Sequence, residues 1–204
     1  MMPDSRTPQA HAPIRIDLPP DRDVLRALVA GDEVRLFGPV FTARDATHTR
    51  LIGELESTGS LPYDLVGQVL FYAGPTPARA GKALGSVGPT SAYRMDAATA
   101  PLLAHGIAAT FGKGRRSREV AQACARHGAV FFGAVGGAAA LLANHVVSAE
   151  VVAYPELGTE ALVRLELNDF PAFVAIDSEG TDIYEVGPAT WRERHADERG
   201  ATHG

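Results

Sequence analysis

The chain has 204 residues, 46 % hydrophobic and 21 % charged, a balance that excludes a wholly disordered chain or a membrane-embedded bundle. A formal net charge of −5 excludes the broad basic surface of a nucleic-acid binder. The single cysteine, Cys124, excludes an internal disulfide and any cluster or zinc site built from several thiolates of this chain.

Residues 1–13, MMPDSRTPQAHAP, lack the charged-then-apolar pattern of a signal segment and read as a flexible arm. IRIDL (14–18) reads as a short strand. In DRDVLRALVAGD (21–32), Val24, Leu25, Leu28 and Val29 share one helical face, and Gly31 ends it. VRLFG (34–38) alternates like a strand. After Arg44, the residues His48, Leu51, Ile52 and Leu55 fall at helical spacing up to Gly59. VGQVLFYAG (66–74) is a buried strand by its β-branched and aromatic content. Residues 97–105 read as a helix stopped by Gly106, and IAATF (107–111) as a strand running into GKG. Ser117 can cap a helix over 118–127, which Gly128 ends; AVFFG (129–133) is a strand and GGAAALLANHV (136–146) a helix. Strands follow at 149–154, 161–167 and 171–177, and Ser178-Glu179-Gly180 turns the chain into a further strand at 181–186. Residues 189–204 carry no periodic pattern and read as a flexible tail, leaving 14–188 as one domain. The alternation of strands and helices, with strands dominating the end, predicts an α/β protein with more than one sheet.

Three segments carry candidate chemistry. GSVGPTSAYRMD (85–96) joins turn residues Gly88 and Pro89 to adjacent hydroxyls, Thr90 and Ser91, and to Arg94 one helical turn on. It can aim a hydroxyl and a guanidinium at one anion, or serve as a β-turn with Ser91 capping a helix. TARDATHTR (42–50) places Arg44 where a strand passes into a helix, near the free N–H groups of a helix start, or in an ion pair with Asp45 or Glu54. TFGKGRR (110–116) sets Lys113 between two glycines that let a ligand approach the backbone, or leaves it in a solvated loop; the spacing is not that of a nucleotide-binding Gly-Lys loop. Arg115 and Arg116 read as surface charges. Cys124 reads as a small core residue, and Gly133, Gly136 and Gly137 as close-packing positions. Glu160, Asp169 and Asp177 flank strands, with no catalytic role expected.

Together these three segments resemble the β part of class I fumarases and L(+)-tartrate dehydratases. The likeness extends through LPYDLVGQVLFYAGPTPA (61–78), GAVFFGAVGGAAAL (128–141) and FPAFVAIDSEGTDIY (170–184). The resemblance implies a three-layer β/β/α swivelling domain with mixed sheets. It implies that Arg44, Ser91, Arg94 and Lys113 hold a small dicarboxylate and that Thr90 is the catalytic proton-transfer group. Ser91 stands where the family more often has threonine, keeping the hydroxyl and losing a methyl. Asp45 is expected to cap its helix or orient Arg44. His48, on the apolar face, is expected to be a structural histidine or to support the site from behind.

The resemblance also implies a [4Fe–4S] cluster, held by three cysteines of a partner α subunit, whose open iron acts as Lewis acid on the substrate oxygen. No metal is expected on this chain. The implied protein is the β subunit of a cytoplasmic hetero-oligomeric hydro-lyase, active with a cluster-bearing α subunit and contacting neither nucleic acid nor membrane. Fumarate–malate interconversion is the first reading. The alternatives are L(+)-tartrate or a related diacid such as mesaconate, and a non-catalytic anion-binding module on the same fold.

Overall fold

A computed structural model describes residues 12–78 and 80–194. Its seven strands form one continuous sheet: β1 (Ile14–Asp17), β2 (Glu33–Thr42), β3 (Val69–Phe71), β4 (Ala109–Gly112), β5 (Val130–Gly133), β6 (Val146–Ala153) and β7 (Leu162–Ile176). The first five lie parallel in sequence order. β7 runs antiparallel to β5, β6 and β2, and its pairing with β2 closes β2-β3-β4-β5-β7 into a ring. The helices connecting the parallel strands of the ring are α2 (Asp45–Thr58), α3 (Asp96–Ala104) and α4 (Arg118–His127). The others are α1 (Arg22–Ala27), α5 (Ala139–Leu142) and α6 (Ile183–Arg194).

Strand periodicity sorts the side chains into two cores. In β3 and the residues after it, Val69, Phe71 and Ala73 enter one cluster while Leu70 and Tyr72 enter the other; in β5, Val130 and Phe132 part from Phe131 in the same way. The first cluster fills the ring between its two β walls. The second lies between the parallel strands and α2, α3 and α4, taking Leu51, Leu102, Leu103, Val120 and Cys124 from those helices. The layers are therefore β/β/α. Strands buried on both faces are apolar throughout, which explains why VLFYA and VFF read as unbroken hydrophobic runs. Phe71 stacks on Phe111 at 4.3 Å, and Phe170 of β7 meets both edge-on at 5.7 and 5.3 Å, tying the two β walls together.

Several elements differ from their sequence reading. The expected strands at 161–167 and 171–177 are one strand, β7. Inward residues switch parity within it, from Val163, Leu165 and Leu167 to Phe170, Ala172 and Val174. Asp169, at φ 56°, marks the irregularity that lets both halves face the same core. The expected second sheet is the far side of the same ring. The segment 136–146 forms only the short α5, a 3₁₀ turn and the start of β6, because its glycines at 136 and 137 give no helical start. After the turn at 178–180, Asp182 makes a single bridge to Ile176 and the chain enters α6 instead of a strand. That helix also covers residues 189–194 of the expected tail. Asp182 caps it, accepting from Tyr184 N at 2.8 Å. The expected arm at 1–13 and the last ten residues lie almost wholly outside the described residues. Among the described residues, no helix is long and apolar enough to cross a membrane.

Gly38 sits at the register shift in β2 with φ 110°, and a Cβ there would lie 2.6 Å from the carbonyl oxygen of Leu18. Backbone cannot yield as a side-chain tip can. Gly38→Ala is expected to lower stability by about 2–3 kcal/mol, read as a lower urea midpoint at unchanged slope.

Candidate active site

Parallel strands in register deliver their following residues to one edge. Thr42 of β2 pairs with Phe71 of β3, Phe71 with Phe111 of β4, and Gly112 with Gly133 of β5. Arg44, Lys113 and Gly136 come just after three of these strand ends. Ligands of α/β sheets bind outside the carboxyl ends of the strands. The long connection after β3 returns across this edge. Thr90 N donates to Tyr72 O at 2.6 Å, Lys113 N to Thr90 O at 3.2 Å, and Ala92 N to Lys113 O at 2.9 Å. Ser91 thereby bridges Lys113 as an added strand pair, so the two hydroxyl residues are pinned between strand ends and do not ride on a turn tip. Ser91 precedes the 3₁₀ turn Ala92–Met95 without a side-chain capping bond, and Arg94 lies within that turn.

The cations are linked through carboxylates. Arg44 is the N-cap residue of α2, and Asp45 is its first helical residue. Asp45 Oδ2 lies 2.8 Å from Arg94 Nη2 and 3.8 Å from Arg44 Nη2. The first approach is an ion pair off the line of hydrogen bonding, since Asp45 Oδ2 makes no aligned bond. Asp45 does not cap the helix. That task falls to Glu160, which sits just before β7; its Oε2 accepts from Ala46 N at 2.8 Å and its Oε1 lies 3.5 Å from Arg44 Nη2. Thr47 Oγ1 also donates to the Glu160 carbonyl. The sequence offered no signal for Glu160, because 114 positions separate it from Ala46.

Two glycines make room for the cations. A Cβ at Gly74 would lie 3.1 Å from Arg44 Cδ, and one at Gly136 would lie 3.3 Å from Lys113 Nζ. Arg44, Arg94 and Lys113 nonetheless remain partly open to solvent, as do Thr90 and Ser91. Unpartnered buried polar atoms gather at the same place: Thr42 Oγ1, Arg44 Nε, Asp45 Oδ2 and His48 Nε2. Buried polar groups normally find partners. Arg44 Nε and Asp45 Oδ2 belong to the very pair that faces the edge.

His48 is buried beneath Arg44. Its Nδ1 lies 2.8 Å from the Arg44 carbonyl oxygen, and its ring meets Tyr72 edge-on at 5.1 Å. A carbonyl only accepts, so Nδ1 carries the proton and Nε2 the lone pair. Burial pulls the His48 pKa down to about 4 against the opposing pull of that hydrogen bond, keeping the ring neutral.

Arg116 is not a surface charge. Its side chain is fully buried, donating from Nε to Asp96 Oδ1 at 2.6 Å and from Nη2 to Thr99 Oγ1 at 2.6 Å. Cys124 is buried in α4 with its thiol pushed up to about 12 by desolvation, so it supplies no thiolate at neutral pH. Among the described residues, no three His, Cys, Asp or Glu side chains are placed to hold a metal ion. A mostly apolar cavity of about 710 Å³ lies beside α5 and β7, lined among others by Val34, Ala138, Leu142 and Phe173. It includes none of the cationic residues of the edge.

One sheet edge thus gathers two arginines, a lysine and two hydroxyls. The family model described as "Fumarase C-terminus" matches residues 1–187, and the chain belongs to this family. It is 38 % identical over 178 residues to "Fumarate hydratase class I, aerobic" of Escherichia coli (strain K12), covering 84 % of this chain and 32 % of the relative. "Fumarate hydratase 2" of Leishmania major is 37 % identical over 84 % of this chain and 31 % of its own length. "Putative L(+)-tartrate dehydratase subunit beta" of Methanocaldococcus jannaschii is 39 % identical over 79 % of this chain and 86 % of its own. The chain thus spans about a third of the fumarate hydratases it matches and most of the dehydratase subunit. These relatives are named as hydro-lyases.

The depressed His48 pKa has a signed consequence. The unfolded chain binds more protons than the folded one between the ordinary value, 6.5, and about 4. Stability is therefore whole above the upper value and falls as pH drops through this window, by roughly 3 kcal/mol from this group. Urea unfolding at pH 7, 5.5 and 4 is expected to show the fall. His48→Phe, less stable at pH 7, is expected to flatten the slope.

Proposed function

We propose that this chain is the substrate-clamping and proton-transfer part of a hydro-lyase that interconverts fumarate and L-malate. The observation that supports this best is the pair of guanidiniums, Arg44 and Arg94, facing one edge across a single shared carboxylate. Each guanidinium can take one planar carboxylate of a diacid through two parallel hydrogen bonds. Lys113 adds a point charge, and Ser91 a hydroxyl that can donate to a substrate oxygen. Thr90 transfers the proton at the carbon next to the one bearing oxygen. Its backbone N–H and C=O are both engaged, to Tyr72 and Lys113, so the residue is fixed in place. A threonine hydroxyl is a weak base on its own and needs a neighbouring base or cationic field to act. The carboxylates on this chain, Asp45 and Glu160, are occupied with arginines and a helix start. We assign the activating base to a partner polypeptide.

The residues of this chain do not fit an iron–sulfur cluster. Its one thiol is buried and held protonated, and no other cysteine exists. A [4Fe–4S] cluster in this enzyme therefore belongs to the partner, the α subunit, and the complete site forms where the two meet. Fumarate hydratases about three times as long as the matched region support this division, as does a dehydratase β subunit of similar length. That subunit also supports L(+)-tartrate as a second reading of the substrate, with the same clamps on the same two carboxylates.

The test is anaerobic co-purification with a candidate cluster-bearing α chain, followed by turnover of fumarate, L(+)-tartrate and mesaconate. Fumarate is expected to be the preferred substrate, and preference for tartrate would replace the first reading with the second. In the assembled enzyme, Thr90→Ala is expected to lower kcat about 10²–10⁴-fold with subunit association unchanged. Arg94→Met is expected to raise KM about 10–100-fold, the loss of one charge-assisted contact. Parental activity in Thr90→Ala would remove the assigned role.

A further inference from the structure

Four of the five proposed ligand-facing residues hang from segments that meet at one buried side chain. Arg116 follows Lys113 by three positions. Its Nε and Nη2 reach Asp96 Oδ1 and Thr99 Oγ1, each at 2.6 Å, and Nη1 approaches Thr110 Oγ1 at 3.5 Å. Asp96 begins α3 two residues after Arg94, and its second oxygen accepts from Ser117 N at 2.7 Å. Thr99 in turn contacts the Tyr72 hydroxyl at 3.0 Å, and the Tyr72 carbonyl accepts the Thr90 N–H. The guanidinium lies 5.2 Å from the Tyr72 ring centre and 4.6 Å from that of Phe131. The end of β3, the helix behind Arg94 and the loop carrying Lys113 are thus clasped from behind by one planar group.

We propose that Arg116 is the positioning residue of the site, setting the spacing between the Thr90–Arg94 segment and Lys113 without touching the ligand. A fully buried ion pair is weak evidence for stability, since apolar residues of equal volume often serve as well. What apolar side chains cannot supply is a fork that fixes three backbone segments at set distances and angles. Helix α4 already has an apolar core through Val120, Ala123 and Cys124, shared with Phe131 of β5. The clasp adds orientation at the place where a bound diacid needs it. The consequence for catalysis rests on the reading of this edge as a hydro-lyase site; the consequence for geometry does not.

The experiment compares Arg116→Met, Arg116→Lys and Asp96→Asn with the parent. In the full chain, amide hydrogen exchange at Ala92 and Lys113, the bonds that pin the two segments, is expected to rise at least about tenfold in Arg116→Met. Exchange at Leu18, bonded to Phe37 O beside the outermost strand β1, stays at the parental rate. In the enzyme assembled with its partner, kcat/KM for fumarate is expected to fall about 100-fold. Arg116→Lys, which keeps the charge and loses the fork, does not restore it. Exchange that is unchanged at Ala92 and Lys113, or that rises equally at Leu18, overturns the proposal, as does full rescue by lysine. Should Arg116→Met fail to fold, Asp96→Asn, which preserves the shape of the clasp and weakens its charge, carries the same comparison. If the parental enzyme turns over no diacid, the hydro-lyase reading falls, while the exchange comparison still decides the role of Arg116.

Discussion

The pairing of β7 with β2 is the constraint on which the molecule depends. Four parallel strands joined by helices make an open sheet with one covered face. β7 covers the other by running antiparallel to β2 along residues 33–42 and then passing to β5. The ring so formed has a core of its own, anchored by Phe71, Phe111 and Phe170. Closure also fixes the tilt and register of β2, β3 and β4, whose ends present Arg44, Thr90 and Lys113. The site is therefore a property of the closed sheet and not of any one motif. Glu160 makes the link literal: two residues before β7 begins, its carboxylate caps the helix that starts with Arg44 and Asp45.

Much of this was legible in the sequence, and what was missed shares a physical cause. The alternation of strands and helices from β2 to β5 could be read because buried parallel strands are apolar runs and their helices stop at Gly59, Gly106 and Gly128. Arg44 and Lys113 could be placed at strand ends by the same local signals, and Arg94 a helical turn beyond the Gly-Pro turn; the resemblance to the fumarase β part joined them into one site. The unity of β7 was not legible: a bulge at Asn168-Asp169 looks like a turn, and only pairing with β2 on one flank makes it continuous. α6 was missed for a similar reason. Ile183, Tyr184 and Val186 are the β-branched and aromatic residues of a strand, while the Asp182 cap that starts the helix is visible only in three dimensions. Arg116 misled because a basic pair after Gly-Lys-Gly reads as solvated; its partners Asp96 and Thr99 lie 20 and 17 positions upstream. Glu160 and the capping of α2 fail on the same ground. Local pattern carries elements, and long-range partners carry roles.

The electrostatics of the edge rest on carboxylates that the two arginines hold only loosely. Arg44 has two carboxylates nearby, Glu160 at 3.5 Å and Asp45 at 3.8 Å, neither close enough for a strong bond. Arg94 has Asp45 at 2.8 Å but without alignment. These pairs offset the repulsion of two guanidiniums brought together, yet they leave donors free, Arg44 Nε among them. Partly exposed ion pairs contribute little to stability, of the order of 1 kcal/mol or less. A planar carboxylate held in bidentate geometry forms charge-assisted bonds that the resident carboxylates do not. The neutral His48 beneath Arg44 completes the arrangement. It fixes the Arg44 carbonyl through Nδ1 and adds no further positive charge to the cluster. A cationic histidine there would strengthen the pull on an anion and at the same time drive the arginines apart; the burial that prevents its protonation keeps the two clamps at the spacing set by the strands.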